Sequence, residues 1–435
     1  MQADESVFLR RFRLSYSGIN CAADAVRIMK DVIVIGAGAS GLMAAYAAAK
    51  NGNKVTVIEK NEKAGKKIYI TGKGRCNITN DIAPEDFLPN VVTNRKFLTG
   101  CIYRFPPQRL MRFFEDGGLK LKTERGGRVF PLSDKASDVT ACLLRYCESV
   151  GVVFHFNETV ERIDVSDSTL SGIITDKSRY MPDAALVCTG GVSYPATGST
   201  GDGIRFAKEL GLNTTALKPA LCGIVCRAPW LKELQGLSLK NVRVSACKGG
   251  RCVSSFFGEM LFTHFGISGP TVLSMSSEIN RCDIAELLVS IDLKPALDEQ
   301  TLDKRVLRDF EKYSNKQLRN ALVELLPKKL ILPVIAESGC NADMPVHSVT
   351  RAQREKLVKT LKCFSLQAVS LRPIEEGIVT SGGIDVSEID PRTMRCRKIG
   401  GLYFCGEALD VDAYTGGFNL QIAFSTGFAA GESIR

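Results

Sequence analysis

The sequence predicts an α/β fold in which one parallel-sheet domain is built from both ends of the chain. Three observations lead to this prediction. A strand–glycine turn–helix–strand unit spans residues 31–60, and a second strand–glycine turn–helix unit spans residues 401–431. Between them, residues 214–290 alternate short apolar runs with turns, as antiparallel strands do, and residues 296–345 have a helical pattern. The middle of the chain is therefore predicted to be an insertion.

The first unit starts with the apolar β-branched run Val32–Ile35, which predicts a buried strand. Leu42–Lys50 is rich in good helix formers, and Val55–Ile58 predicts a second strand that ends at Glu59. The turn between the first strand and the helix has the spacing G-x-G-x-x-G, formed by Gly36, Gly38 and Gly41. Together these features are typical of dinucleotide binding.

Each residue of this unit has a physical role in that interpretation. Gly36 permits the tight turn, Gly38 lets the backbone approach a pyrophosphate, and Gly41 lets the helix pack against the strand. The first N–H groups of the helix attract phosphate, and the Glu59 carboxylate can accept a hydrogen bond from a ribose hydroxyl. The alternative is a membrane span, because residues 32–49 carry no charge over 18 positions. The many Gly, Ala and Ser residues disfavour it.

Composition and charge limit the classes of protein, ligand and partner that are expected. The 435 residues suffice for two or three domains, and 45% hydrophobic with 24% charged residues is ordinary for a globular protein. The net charge of +10 suits anionic ligands, but the basic residues are scattered, so nucleic acid is not expected as a partner. The fifteen cysteines form no C-x-x-C pair and only three histidines occur, which disfavours a metal site. We expect reduced thiols and a cytoplasmic protein.

Residues 1–28 do not match the pattern of the rest of the chain. They contain the basic cluster Arg10, Arg11 and Arg13 but no apolar core of a secretory signal. Met29 lies two residues before the first strand. We expect residues 1–28 to be a disordered extension or the product of a mis-assigned start.

The other predicted elements are based on the same patterns. Further helices are predicted at Phe97–Cys101, Pro107–Asp116, Ala136–Ser149, Ile204–Leu210, Leu302–Tyr313, Lys316–Leu326 and Arg351–Lys362. Further strands are predicted at Val152–Phe156, Val160–Asp164, Thr169–Thr175, Ala184–Cys188, Gly223–Arg227, Val242–Ala246, Leu287–Leu293 and Gly401–Gly406. Residues 258–270 are expected to form a glycine-rich loop. The helix Arg351–Lys362 is basic, and a solvated face is favoured over a nucleic-acid arm.

Several motifs resemble one family. They are DVIVIGAGASGLMAA (31–45), TGKGRCNITN (71–80), SYPATGSTGDG (193–203), GEMLFTHFGISGP (258–270), VTSGGID (379–385) and GLYFCGEALDVDAYTGGFNLQIAFSTG (401–427). The chain resembles the BaiN/YhiN-type flavoproteins, FAD-dependent oxidoreductases of the two-dinucleotide-binding-domain class. Ala413 replaces an expected Gly in this pattern.

The resemblance implies a discontinuous Rossmann-like FAD-binding domain with an inserted antiparallel β-barrel-like domain and a helical subdomain. The implied boundaries are 29–213 and 371–435 for the FAD-binding domain, 214–295 and 346–370 for the inserted β domain, and 296–345 for the helical subdomain. The implied FAD-binding residues are Gly36, Gly38, Ala39, Ser40, Gly41, Glu59, Lys60, Lys67, Thr71, Gly72, Gly74, Arg75, Cys76, Asn77, Thr189, Gly190, Gly406, Glu407, Gly417, Phe418, Asn419 and Leu420.

The resemblance also implies the activity. The leading expectation is NAD(P)H-linked reduction of a C=C bond conjugated to a ketone in a small steroid or bile-acid substrate. The alternatives are oxidation of small amines such as aminoacetone, and a flavoprotein acting on RNA. NAD(P)H would bind transiently, since only one complete dinucleotide fingerprint occurs.

Enone reduction needs proton and hydrogen-bond donors near the flavin. Tyr194, His264 and Tyr414 lie in the matching motifs and are the candidate catalytic residues, although packing roles would also explain them. Cys76 has the chemistry of a reactive thiol, but it lacks a C-x-x-C partner, which disfavours a disulfide reductase. His155 alternates with apolar residues in a predicted strand and is expected to be structural.

Overall fold

The computed structural model describes residues 29–435, so the interpretation of residues 1–28 lies outside the described residues. Its parallel sheet has five strands, in the order Leu402–Phe404, Ala184–Val187, Asp31–Ile35, Lys54–Glu59 and Val153–Phe156. Ile35 pairs with Val187 and with Ile58, and Val187 pairs with Phe404. This register places the carboxyl ends of the central strands, and the loops after them, at one edge.

Two buried helices join the ends of the chain. Ala39–Lys50 packs against the C-terminal helix Phe418–Ser433. The contact is close, because a Cβ on Gly427 would lie 2.2 Å from the Ser40 carbonyl oxygen. The predicted fold class, with one parallel-sheet domain formed from both ends of the chain, is thereby confirmed.

The rest of this part of the chain surrounds the sheet. Its other helices are Lys66–Ile70, Pro84–Phe87, Arg95–Arg104, Pro107–Asp116, Ala136–Ser149 and Asp202–Glu209. Two antiparallel three-stranded sheets contain the strands Thr79–Asn80, Arg128–Pro131 and Leu121–Glu124, and Val160–Ser166, Thr169–Thr175 and Arg179–Tyr180. Lys218–Ala220 pairs with Val379–Ser381 where the insertion begins and ends.

The insertion contains a closed antiparallel barrel with its own apolar core. The barrel strands, in spatial order, are Ile224–Arg227, Gly266–Ser268, Arg251–Phe262, Ser238–Lys248, Leu288–Asp292 and Phe364–Leu371. Helices Pro270–Ile279, Glu299–Lys312, Leu318–Ala321, Lys328–Glu337 and Arg351–Lys362 accompany it. Within residues 29–435 no helix is both long and apolar enough to cross a membrane.

Two expectations for the insertion were wrong. The expected loop 258–270 is mostly strand, because buried Met260 and Phe262 alternate with more exposed neighbours and continue the barrel wall. Pro270 then opens an unpredicted helix within the β region. The helix expected over 316–326 is confined to Leu318–Ala321. There the N–H of Leu318 donates to the Met344 carbonyl, which ties the segment to a neighbouring loop.

Candidate functional site

A cavity of about 550 Å³ lies at the carboxyl edge of the parallel sheet. Most of the residues predicted to bind the cofactor line it, together with two of the three candidate catalytic residues. The predicted residues that line the cavity are Gly36, Gly38, Ala39, Ser40, Glu59, Lys60, Lys67, Thr71, Gly72, Asn77, Thr189, Gly190, Glu407, Gly417, Asn419, Leu420, Tyr194 and Tyr414. The predicted residues outside its lining are Gly41, Gly74, Arg75, Cys76, Gly406, Phe418 and His264.

The glycine turn forms one wall of the cavity. Gly36 has a φ of +101°, and a Cβ there would lie 2.8 Å from the Cys188 carbonyl oxygen, so only glycine suits the position. Gly38 differs, because a Cβ there would meet no atom of residues 29–435 within 4 Å. The helix Ala39–Lys50 that begins next has no side-chain cap at its N-terminus. Its first N–H groups are therefore available to an anion.

Glu59 joins the second strand to this turn. Its carboxylate is buried and accepts three hydrogen bonds, from the Ala37 N–H at 2.7 Å, from the Asn61 N–H at 2.8 Å and from the Asn61 side-chain amide at 2.7 Å. A carboxylate can accept about four hydrogen bonds, so Glu59 retains acceptor capacity for a hydroxyl in the cavity. The same side chain thereby fixes the glycine turn and faces the ligand space.

A second polar cluster connects four distant segments. The Lys67 Nζ donates to Glu407 Oε2 at 2.7 Å and to Ser193 Oγ at 2.7 Å. Glu407 Oε1 accepts from the Thr380 N–H at 2.8 Å and from the Ser193 hydroxyl at 3.0 Å. Both carboxylate oxygens of Glu407 are thus hydrogen-bonded. The cluster holds together the loops that follow the strands Ala184–Val187 and Leu402–Phe404.

The loop 71–77 is divided between the cavity and the protein interior. Arg75 points away from the cavity: it pairs with Glu124 and with Asp134, which raises the pKa of its guanidinium, and it stacks on Phe130. Cys76 is fully buried, and this burial raises the pKa of its thiol to about 12. Asn77 lines the cavity, and its Oδ1 is buried without a hydrogen-bond partner in the described part of the chain.

The C-terminal helix approaches the cavity from the other side. Gly417 precedes it with a φ of +97°, and a Cβ there would lie 2.4 Å from the Thr79 carbonyl oxygen. The helix Phe418–Ser433 also lacks a side-chain cap. The Asn419 side chain does not cap the helix. Its Oδ1 accepts a hydrogen bond from the N–H of Ala413, which precedes the helix, at 3.0 Å. A second helix N-terminus is therefore open toward the same cavity.

The three candidate catalytic residues lie in different surroundings. Tyr194 lines the cavity, and its N–H donates to the Glu375 carbonyl at 3.1 Å. Tyr414 lines it as well, and its hydroxyl donates to Glu278 of the insertion. Burial, together with the Glu278 carboxylate, raises the pKa of Tyr414. His264 is exposed and lies outside the cavity lining, so its catalytic role stays a prediction.

Residues 158–160, which also line the cavity, were missed by the sequence reasoning. They come shortly after the strand Val153–Phe156, at the same sheet edge as the other cavity residues. This position at the carboxyl end of a parallel strand could have identified them from the sequence. Glu158 is buried and accepts from the Thr175 hydroxyl at 2.7 Å and from the Tyr180 hydroxyl at 2.8 Å. His155 contacts Glu158 and Tyr180 as well, consistent with a structural histidine.

The residues present fit FAD. Within residues 29–435, the cavity offers open space at Gly38, two helix N-termini without a side-chain cap, a buried acid at Glu59 and an unpartnered amide oxygen at Asn77. The open space and the helix N-termini suit a pyrophosphate, the acid suits a ribose hydroxyl, and the amide oxygen suits an N–H donor. The individual assignments of residues to parts of the cofactor stay predictions.

Comparison with known proteins gives a match over nearly the whole described chain. The family model of the HI0933-like protein Rossmann domain matches residues 30–433. The chain is 30% identical over 407 residues to a ribosomal RNA dihydrouridine synthase of Escherichia coli, covering 93% of this chain and 98% of that protein. It is 30% identical over 409 residues to a 3-dehydro-bile acid delta(4,6)-reductase of Clostridium scindens, covering 93% and 99%.

Solved structures share the fold at lower identity. The 3-ketosteroid-Δ4-(5α)-dehydrogenase of Rhodococcus jostii has a TM-score of 0.52 and 15% identity, covering 95% of this chain and 98% of that chain. The 3-ketosteroid Δ1-dehydrogenase of Sterolibacterium denitrificans has a TM-score of 0.52 and 14% identity, covering 93% and 99%. At these identities the similarity concerns the fold alone.

Proposed function

Because the chain belongs to the HI0933-like family and is an FAD-dependent oxidoreductase, we propose that it reduces a C=C bond conjugated to a carbonyl group. The substrate class is a cyclic enone or dienone of the 3-oxo steroid type, and NAD(P)H is the electron donor. FAD supplies a hydride to the substrate when it is reduced and bound.

One observation carries this proposal. Two of the relatives with 30% identity over most of the chain act on unlike molecules, yet their names describe one kind of bond change. Formation of dihydrouridine saturates the uracil C5–C6 bond, which is conjugated to the C4 carbonyl. A Δ4,6 reductase of a 3-dehydro bile acid saturates a double bond conjugated to the C3 ketone. Because the two relatives share the type of reaction and not the substrate, they support conjugate reduction more strongly than they support a particular substrate.

The cavity supplies the groups that such a reaction needs. Hydride addition at the β-carbon leaves negative charge on the carbonyl oxygen and α-carbon, so a hydroxyl donor must be close. Tyr194 and Tyr414 carry the candidate hydroxyls in the cavity lining. Since the pKa of Tyr414 is raised, its phenol retains its proton at neutral pH and can act as a donor. The glycine turn, Glu59 and the Lys67–Glu407 pair would hold the cofactor.

The decisive experiment is anaerobic. The purified protein is expected to show flavin absorbance that bleaches with NADH or NADPH. Absorbance should return on mixing with a steroid dienone but not with the matching saturated ketone, and the product should gain two hydrogens. If a small amine reduces the flavin while NAD(P)H does not, the proposal is wrong and the alternative of amine oxidation is correct.

A surface ribbon favours a second candidate, reduction of uridine in RNA. On the barrel hairpin, exposed Arg243 lies opposite Phe257, which is 58% exposed, and Arg251 and Val253 are exposed farther along. Neither arginine forms an ion pair within the described part of the chain. Exposed cations beside an aromatic ring suit single-stranded nucleic acid. Phe256, the neighbour of Phe257, packs on Tyr414 at 5.4 Å between ring centroids, so this strand reaches the cavity wall, with the Arg243 and Phe257 side chains on its opposite face.

The basic helix Arg351–Lys362 is a poorer RNA surface. Arg354 pairs with Asp303 at 2.7 Å and Lys362 pairs with Asp292 at 2.6 Å, so part of its charge is neutralised within the insertion. Its buried side chains, Leu357, Val358 and Leu361, face the protein. The second candidate therefore depends on the hairpin, and it opposes the expectation that nucleic acid is not a partner.

RNA binding is tested with ribosomal RNA fragments at several salt concentrations. Arg243→Ala with Phe257→Ala should weaken binding by about tenfold or more. Lys356→Ala, which removes an exposed cation of the basic helix, is the matched control and should have little effect. Unchanged binding in the hairpin variant, or no dihydrouridine formed in RNA by the reduced protein, would exclude this candidate.

A further inference from the structure

We propose that Glu278 of the insertion is a positioning residue for Tyr414: it holds the phenol at the cavity wall and links it to solvent. This inference rests on the proposed function for its catalytic consequence, but the contact itself is independent of substrate. Tyr414 comes from the C-terminal part of the chain and Glu278 from the helix Pro270–Ile279 of the insertion, 136 residues away in sequence.

Three contacts fix the Tyr414 side chain and its loop against the insertion. The Tyr414 hydroxyl donates to Glu278 Oε1, and its ring meets Phe256 edge to face at an interplanar angle of 82°. Three residues after Glu278, Arg281 lies 3.5 Å from the buried Asp410 carboxylate, just before Tyr414 in the chain. The last turn of the helix Pro270–Ile279 and the turn that follows it therefore contact both ends of the segment 410–414.

This segment leads directly into the cavity. Tyr414 lines the cavity, as do the next three residues, and Gly417 opens the C-terminal helix. On its other side, the Tyr414 N–H donates to the Asn90 carbonyl at 3.0 Å. The backbone is thus held by the FAD-binding domain, while the orientation of the phenol depends on Glu278 and Phe256.

The charges around the phenol determine its protonation. Besides Glu278, the charged groups that act on it are Arg95, which favours the phenolate, and Asp412, which opposes it. Glu278 also opposes the phenolate, and its side chain is exposed. When Tyr414 turns its proton from Glu278 to the substrate α-carbon and gives it up, a C–H bond forms and the phenolate remains. A proton from the solvent, which is within reach because the Glu278 side chain is exposed, then restores the phenol.

The first measurement needs no substrate. Ultraviolet titration of tyrosinate, taken as the difference between the protein and Tyr414→Phe, reports the ionisation of this phenol. Glu278→Ala should lower the pH at which Tyr414 ionises, because a nearby negative charge is lost. Glu286→Ala is the matched control, since Glu286 pairs with Lys248 elsewhere on the barrel domain. An unchanged Tyr414 titration in Glu278→Ala would overturn the proposal.

The second measurement is the rate at which an enone reoxidises the reduced flavin, at equal FAD content. Glu278→Ala should slow this step by about tenfold, whereas Glu278→Gln, which keeps the acceptor oxygen, should restore most of the rate. In a Tyr414→Phe background, Glu278→Ala should cause no further loss. Additive losses would contradict positioning through Tyr414. If no enone is reduced at all, the proposed function fails, and the titration alone decides whether Glu278 holds Tyr414.

Discussion

Lys67 and Glu407 lie 340 residues apart in the chain and form an ion pair with 2.7 Å between Nζ and Oε2. Lys67 lies beyond the second sheet strand in sequence, and Glu407 lies beyond the last one. Their side chains are only 22% and 19% exposed. The pair closes the cavity wall between the two ends of the chain, so its strength bears on both folding and ligand binding.

Lys67→Met should destabilise the protein and weaken FAD binding. The substitution leaves the Glu407 carboxylate in a partly buried position without its cation, and loss of a hydrogen bond to a charged group costs about 1.5–3 kcal/mol. Urea unfolding of the FAD-free protein measures the stability, and fluorescence titration with FAD measures the affinity.

Lys54→Ala is the control for that substitution. Lys54 pairs with Asp31 at 3.0 Å, but the two side chains are 62% and 45% exposed. Exposed pairs contribute about 0–1 kcal/mol, so this variant should unfold almost as the parent protein does. Equal losses in the two variants would show that the Lys67–Glu407 pair has no special role.

Two glycines of the turn should respond differently to alanine. Gly38→Ala should leave folding intact and lower FAD affinity by about tenfold or more. Its Cβ would meet no atom of the described residues within 4 Å, but it would enter the space where a pyrophosphate would approach. Gly36→Ala should unfold more easily, because its Cβ would lie 2.8 Å from the Cys188 carbonyl oxygen. Thermal unfolding with and without FAD separates the two effects.

Gly52→Ala controls for backbone conformation alone. Gly52 has a φ of +86°, and no atom of the part of the chain that the structure describes lies within 4 Å of its Cβ position. It should show only the cost of a left-handed alanine, about 1 kcal/mol, with normal FAD affinity. A normal FAD affinity in Gly38→Ala would place the pyrophosphate elsewhere.

The elements predicted well are those whose evidence is local. The strand Asp31–Ile35 and the helix Ala39–Lys50 were predictable from a run of apolar residues and from the spacing of three glycines. The contacts that complete the cavity depend on tertiary structure. Glu407 meets Thr380, Ser193 and Lys67 only after both ends of the chain have folded together.

In the insertion, too, elements with local sequence evidence were predicted well, and features that depend on tertiary structure were not. Arg351–Lys362 begins and ends as predicted, because its apolar stripe has helical spacing and Thr350 with Gln353 forms a capping box. Residues 258–262 were expected to be a loop because of their glycine content, yet barrel closure makes them strand. Glu278 carries no motif, and its contact with Tyr414 depends on how the helix Pro270–Ile279 packs.

Cys76 should resist alkylation in the folded protein. Burial raises the pKa of its thiol to about 12, so at about pH 8 its thiolate fraction is roughly a thousandfold lower than that of an ordinary cysteine. Exposed Cys252 and Cys363 should react with iodoacetamide first. Peptide mass spectrometry after a timed exposure measures this order. Early modification of Cys76 would restore the interpretation of Cys76 as a reactive thiol.

Asp412 should make the free energy of unfolding depend on pH, and the substitution Asp412→Asn should remove that part of the pH dependence. Its side chain is fully buried, Oδ1 accepts from the Ser381 hydroxyl at 3.1 Å, and Oδ2 has no hydrogen-bond partner among residues 29–435. Burial raises the pKa of this carboxyl group. Since its folded pKa lies above the unfolded value, its contribution to stability is complete below the unfolded pKa and is lost as the pH rises through the folded pKa.

Asp412→Asn keeps a neutral side chain at every pH. Relative to the parent protein, its free energy of unfolding should therefore rise as the pH increases above about 4, the ordinary pKa of an unfolded aspartate. Asp116→Asn, at an exposed position, is the control and should show almost no pH-dependent difference. Urea unfolding at a series of pH values measures both variants. If the difference in free energy of unfolding between Asp412→Asn and the parent protein is the same at every pH, the prediction is wrong. That result would mean that the Asp412 carboxyl group has the same pKa in the folded protein as in the unfolded chain.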